Sequence, residues 1–457
     1  MTQTASTPRL VAAPWFPVKD FVRFTQHTLD FLATLTQRHG RFVSFRLGHQ
    51  RVIFANDPEL VRELLITKAR SFHKDRGIRM AKHLLGEGLL SSEDEFHKRQ
   101  RRLAQPAFHR ERIAAYGEQM AQITVRGLDR WRDGATVDVA HEMMRVTLMI
   151  AGKTLFNTEV EAEAEELGQA LNDAMGMFAV GLLPVVEIAR RLPLPITKRF
   201  NAARARLDHT VYRMIEERRR NPVDNGDVLS MLLLAQDTEG DGGRMTDLQV
   251  RDEAMTIFLA GHETTANALA WTVYLLAQHP EIEGRLLEEI DTVLQGRSAG
   301  AADVKRLAFA ERVFRESMRL YPPAWGTGRI AHEPVEFGGV ALRPGQFVLV
   351  SPWVMHRDPE FYQEPLRFDP DRWLPERSAS LPKFAYFPFG GGPRMCIGEG
   401  FAWMEGVIVL ATLMQRWRFA LVPDHRVVPQ PRITLRPRDG IQVRLIRRAA
   451  DDQRASA

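Results

Sequence analysis

Phe389-Gly-Gly-Gly-Pro-Arg-Met-Cys396-Ile-Gly398 is the stretch on which the reading of this chain turns. Cys396 is the only cysteine in 457 residues. An apolar, strand-like run from Phe384 to Phe389 leads in, and an amphipathic, helical run from about Glu399 to Arg416 leads out. Gly390, Gly391 and Gly392 supply backbone freedom that a Cβ denies, so a tight turn is expected, one that lets another group approach the main chain. Cys396 then falls at the start of the following helix, where free N–H groups and the helix dipole favour a thiolate. A thiolate held on a rigid turn suits a haem iron. A structural cysteine buried behind a glycine turn is the other reading of these residues.

Size and composition narrow the class. No linker divides the chain, so residues 1–457 are expected to form one domain, irregular over 1–20 and ending in an exposed charged tail over 446–457. Hydrophobic content of 44% and charged content of 26% are those of a soluble globular protein. A single cysteine excludes an internal disulfide and suits a reducing cytoplasm. The net charge of +5 is dispersed, which argues against nucleic acid and fits an acidic protein partner. No segment reaches the ~18 apolar residues of a membrane span. Residues 174–186 come nearest, and Pro184 and Glu187 break them. Met1 to Pro17 has no signal-peptide pattern.

Upstream, Phe21 to His39 has a helical pattern, and 41–47 with 50–55 alternate as a hairpin turning at Gly48-His49. Residues 70–92 read as a loop, with Gly77, Gly86 and Gly88 among Ile78, Met80, Leu84 and Leu85. His97 and Arg101 lie four apart on one helical face, inward, with Lys98, Arg99 and Arg102 outward. Residues 116–220 are mostly helical, with an apolar stretch that includes Phe178.

Asp247 to His279 reads as one helix stopped by Pro280, roughly 33 residues and about 50 Å long. Its apolar pattern, which includes Phe258, is interrupted by Ala260-Gly-His-Glu-Thr-Thr265. Gly261 weakens a helix and Glu263 is costly to bury, so either a locally exposed face or a site that needs polarity is expected there. Glu316-Ser-Met-Arg319 pairs a carboxylate and a guanidinium three apart, a spacing that elsewhere in the chain marks modest surface pairs. It precedes Tyr321-Pro-Pro323, and Arg372 follows in Phe368-Asp-Pro-Asp-Arg-Trp373.

From about residue 30 to 445 these motifs, in this order, resemble the cytochrome P450 family. The loop resembles its haem-binding loop, and Ala260-Gly-His-Glu-Thr-Thr265 resembles its oxygen-activation motif residue for residue, with His262 at the variable position. The resemblance implies a mainly α fold with a minor β region, and haem b (iron protoporphyrin IX) as cofactor. Cys396 would be the iron ligand, with Phe389, Gly390 and Gly398 shaping its loop. His97, Arg101, Arg329 and Arg394 would hold the propionates, His97 standing where the family often has Trp. Gly261 would make room for dioxygen and loosen the helix, beside Ala260. Glu263 and Thr264 would deliver protons, and Thr265 would be structural. Glu316, Arg319 and Arg372 would form a buried brace for the cysteine loop.

Ile78, Met80, Leu84, Phe178, Phe258, Ala324 and Trp325 fall where the family lines its substrate pocket, and the region around Phe178 where it roofs the channel. The implied activity is O2-dependent monooxygenation of an apolar molecule such as a fatty acid, terpenoid or carotenoid. The implied form is a soluble, cytoplasmic, bacterial monomer. No cysteine remains for an iron–sulfur cluster, and the residues after Cys396 are too few for a flavin domain. Electrons from NAD(P)H would therefore arrive through a ferredoxin or flavodoxin and its reductase, docking near Lys98, Arg99 and Arg102. A peroxide-driven member of the family and a non-enzymatic haem-thiolate sensor are the alternatives. Retention of Glu263 and Thr264 weighs against both.

Overall fold

Strict alternation over residues 50–55 sends Val52 and Phe54 into one apolar cluster and Ile53 and Ala55 into another. Both faces of that strand are therefore buried. In this computed structural model, which describes residues 8–14, 17–48, 50–157, 194–240 and 242–448, the strand is one arm of the expected hairpin. Phe42 pairs with Ala55 and Leu47 with Gln50. Phe178, the rest of the apolar stretch 174–186 and the tail beyond 448 lie outside the described residues.

The chain divides into two compact units. One joins Met1–Asp75 to Arg315–Cys396, and the other joins Arg76–Phe314 to Ile397–Ala457. The first holds a six-stranded sheet in the order Val11–Ala12, Phe42–Leu47, Gln50–Ala55, Phe347–Val350, Thr327–Ala331, Phe72–Lys74. Its hairpin Val335–Phe337 with Val340–Leu342 places Phe337 against Phe42 and Phe72. The second unit is mostly helical. Its long helix, Asp247–Leu276, starts in a capping box in which Thr246 and Gln249 satisfy each other's free N–H groups. It packs most extensively against the helix Val139–Phe156, and Thr147 of that helix donates to the carbonyl of His262 at 2.9 Å. A small antiparallel sheet joins Trp417–Leu421, Gln442–Arg447 and Thr136–Asp138.

Several elements differ from their sequence expectation. Residues 76–85 form a helix, Arg76–Leu85, not a loop. Met80, Ala81, Leu84 and Leu85 recur at helical spacing and bury one face, and Gly77 sits in the first turn, where it does least harm. A helix also begins at Pro17, inside the stretch expected to be irregular, because Pro suits a first turn. The run Phe384 to Phe389 is not a strand. It starts in a short 3₁₀ turn, Lys383–Ala385, and the Phe387 N–H donates to the His356 ring at 3.0 Å instead of to a ladder. The long helix ends at Leu276, and Pro280 opens the next helix, Pro280–Leu294. Residues 446 and 447, expected in the tail, close the strand Gln442–Arg447. No helix among the described residues is long and apolar enough to cross a membrane.

Candidate active site

The cysteine loop is built by glycines. Gly390 and Gly392 have φ of +73° and +67°, in the left-handed region that favours glycine. A Cβ on Gly392 would stand 2.0 Å from the carbonyl oxygen of Leu65, so the backbone there must be bare. The loop then closes on itself. The Met395 N–H donates to Gly392 and the Cys396 N–H donates to Phe389, each at 3.0 Å. The helix that follows, Glu399–Arg416, begins after Gly398 as its N-cap, so Cys396 stands ahead of the helix and not in its first turn. Its side chain is exposed. Arg329 and Arg394 are half-buried, with Arg329 donating to the carbonyl of Gly328 at 2.8 Å. Ala324 and Trp325 are likewise half-buried.

Glu316 and Arg319 are fully buried. Arg319 forks onto the Glu316 carboxylate at 2.8 and 2.9 Å, and Arg372 reaches it at 2.9 Å. The Trp373 indole N–H (2.9 Å) and the Asp369 N–H (3.1 Å) also donate to it. Arg319 donates onward to the carbonyls of His356 and Pro365, both at 2.7 Å. The structure thus brings together all three residues of this group, and adds Trp373, Asp369 and His356. A carboxylate with two guanidiniums and two further donors is compensated well enough to be buried.

In the second unit, every residue of the long helix from Val250 to Val273 is buried except Ala260, Gly261 and Thr264. These three share one face, and an added Cβ on Gly261 would meet nothing within 4 Å. The Thr264 hydroxyl donates to the Ala260 carbonyl at 2.8 Å. The helix runs through Gly261 without a break, so the glycine opens space without interrupting the helix.

Glu263 lies about 100° round the helix from Thr264. It is buried, and its carboxylate accepts from Arg436 at 2.7 Å and from the Thr434 hydroxyl. Burial opposes its ionisation, but Arg436, Thr434 and His262 outweigh burial and hold its pKa below the usual value. His262 is also buried. Its Nδ1 lies 2.8 Å from the Phe258 carbonyl and therefore carries the proton, and burial keeps the ring below its usual pKa.

His97 is buried, Arg101 is half-buried and Lys98 is exposed. Of the outward cations, Arg102 is committed to the buried Asp237 by two bonds of 2.7 Å, and Lys98 pairs with Glu95. Of the pocket candidates, Met80 is buried and Ile78 half-buried; Leu84 is fully buried in the core, and Phe258 packs against Phe156 with centroids 5.7 Å apart.

Sequence reasoning missed Arg436 and Thr434, which lie far along the chain and carry no local signal. It also missed Glu405, whose mark was a lone acid in the apolar run after the cysteine. Glu405 is fully buried, with Oε2 unpartnered. Burial pushes its pKa up to about 8, against a smaller opposing effect from its hydrogen bond with Thr265. Between the ordinary value of 4.5 and about 8 the folded chain keeps this proton while the unfolded chain has lost it. The unfolded state thus binds fewer protons in that window, and Glu405 costs progressively more stability as pH rises. Glu405→Gln is expected to flatten that decline and to stabilise the protein by a few kcal/mol near neutrality. Thermal unfolding across this pH range checks it; identical pH profiles for the two proteins would contradict it.

The family model described as Cytochrome P450 matches residues 8–445. Cyclooctatin synthase of Streptomyces melanosporofaciens is 42% identical over 411 residues, 89% of each chain. Pentalenene oxygenase of Streptomyces avermitilis is 38% identical over 408 residues, 88% of this chain and 89% of its own. Among solved structures, a cytochrome P450DA heme domain superposes with a TM-score of 0.86 at 29% identity, covering 97% of this chain and 99% of its own. A retinoic acid-bound cyanobacterial CYP120A1 superposes at 0.85 and 26% identity, covering 97% and 100%.

Proposed function

The chain belongs to the cytochrome P450 family of haem-dependent monooxygenases, and we propose that it oxygenates an apolar terpenoid. The family model spans nearly all the chain, which supports one family domain over residues 8–445. The observation that carries the site assignment is the open patch of Ala260, Gly261 and Thr264 in an otherwise buried helix. It offers one methyl, one bare backbone and one hydroxyl, a surface suited to an apolar ligand with a single polar event beside it. The relatives named for cyclooctatin, cyclooctat-9-en-7-ol and pentalenene support a terpenoid over the other apolar classes.

The residues present fit a haem. Cys396 is an exposed thiol on a loop whose backbone is fixed by its own hydrogen bonds, a donor set suited to iron. Haem, when bound, supplies the activation of dioxygen. Cys396 would be its thiolate ligand, and Phe389, Gly390 and Gly398 would hold the loop's shape. His97, Arg101, Arg329 and Arg394 would be the donors available to its propionates. Thr264 positions a proton at Oγ1, since its hydroxyl already donates to Ala260 and so holds one rotamer with its lone pairs available. Glu263 rests as a carboxylate, and to relay a proton it must first leave Arg436 and Thr434. A ferredoxin or flavodoxin is the electron donor this reading proposes.

Turnover of a terpenoid library with reduced ferredoxin and O2 tests this reading, and turnover on peroxide alone would refute it. In the same assay Thr264→Ala is expected to keep haem and bind substrate, while product per electron consumed falls by about tenfold or more. Unchanged coupling would remove Thr264 from proton positioning.

A further inference from the structure

Two consecutive carboxylates of the long helix, Asp252 and Glu253, are 4% and 0% exposed, a depth at which charge must be compensated. Much of their compensation is main-chain. Asp252 accepts from the Glu87 N–H at 2.8 Å, and Glu253 accepts from the Leu89 N–H at 3.0 Å. Arg251 donates to Asp252 at 2.9 Å and to Asp208 at 2.7 Å. The Gln100 amide donates to Glu253 at 3.2 Å, on the helix that also carries His97 and Arg101.

The turn that supplies the N–H groups sits on the helix backbone-first. A Cβ on Gly86 would lie 2.1 Å from the Asp252 carboxyl, and one on Gly88 would lie 2.1 Å from the Thr256 hydroxyl. Gly86 also has φ of +59°. Both contacts fall on a ridge at four-residue spacing: Asp252, Thr256, Ala260, Thr264. The first two members are covered by the turn, and the last two are the open positions of the patch. Thr256 precedes Ala260 by one turn of helix, about 6 Å. Leu89, carried by the turn, is buried in the cluster that holds Ile257 and Phe258.

We propose that Asp252 and Glu253 are positioning residues that latch Gly86–Leu89 onto this ridge, and that the latched turn is the end wall setting how long an apolar ligand can lie beside Thr264. The proposal deepens the monooxygenase reading and rests on it. Removing the latch lets the turn lift, and the ridge opens toward Thr256 and Asp252. The selectivity is one of length, because the turn meets the ridge with bare backbone and Leu89, while its one charged side chain, Glu87, is exposed and paired with Lys82.

The test is a haem-spectrum titration of the holoenzyme with n-alkylimidazoles of increasing chain length. In the unaltered protein, affinity is expected to rise with chain length to a limit and then fall. In Glu253→Ala the limit moves to longer chains, with affinity for the shortest members unchanged. In parallel, hydrogen exchange at the Leu89 amide is expected to accelerate by about tenfold, the loss of one buried hydrogen bond. If Glu253→Ala does not fold, Asp252→Ala tests the same turn through the Glu87 amide. An unshifted length limit in a variant whose turn exchanges faster would overturn the wall. Unprotected Glu87 and Leu89 amides in the unaltered holoenzyme would overturn the latch. Absence of any spectral response to these ligands in the unaltered protein would instead overturn the monooxygenase reading itself.

Discussion

Glu316→Ala is expected to destabilise the protein by about 3–5 kcal/mol, the cost of stripping the partner from buried charge. In this protein the loss is concentrated. One carboxylate, fully buried, answers Arg319, Arg372, the Trp373 indole and the Asp369 N–H together. Its removal strands two guanidiniums, and Arg319 retains only carbonyl acceptors. The damage reaches the cysteine loop through His356. The carbonyl of His356 accepts from Arg319, while its ring accepts from the Phe387 N–H ahead of the loop. Burial first, then Arg319 and Arg357, keep that ring well below its usual pKa, so it is neutral and able to accept. Denaturant unfolding checks the stability, and haem content after expression checks the loop. A variant that unfolds at the wild-type midpoint with full haem would show that the network braces nothing.

Cys396→Ser is expected to have the opposite signature, with function abolished and fold intact. The side chain is exposed and its loop is held by backbone bonds, so the haem-free protein should lose no more than about 0.5 kcal/mol. Oxygen-dependent turnover and the reduced-CO absorption band characteristic of the family should both vanish, because a serine hydroxyl is no thiolate. Denaturant curves of the haem-free proteins and spectra of the loaded ones separate the two effects. A variant that keeps the band would place the ligand elsewhere.

The features legible in the sequence are those whose chemistry is local. The glycine turn with its single cysteine, the helix that interrupts its apolar run at Ala260 to Thr265, and the helix 399–416 can each be read from neighbouring residues. Glu316 with Arg319 was a pair among many like it, and only the family resemblance selected it. What the sequence hides is long-range or ambiguous. Arg436 holds Glu263 from 173 residues away, and no spacing rule connects them. Arg102, read as a solvated docking cation, is bound to Asp237, 135 residues on. The helix Arg76–Leu85 carried its period in Met80, Ala81, Leu84 and Leu85, but Gly77 and the glycines that follow masked it. The seat of Gly88 on Thr256 becomes visible only once backbone and helix are in contact.

Because the chain has one cysteine, a thiol-specific label reports on Cys396 alone. Labelling the purified holoenzyme and the same protein stripped of haem tests the ligand assignment directly. Ligation by Cys396 requires the thiol to be blocked in the first and to take up one label per chain in the second. Equal labelling of both would contradict it.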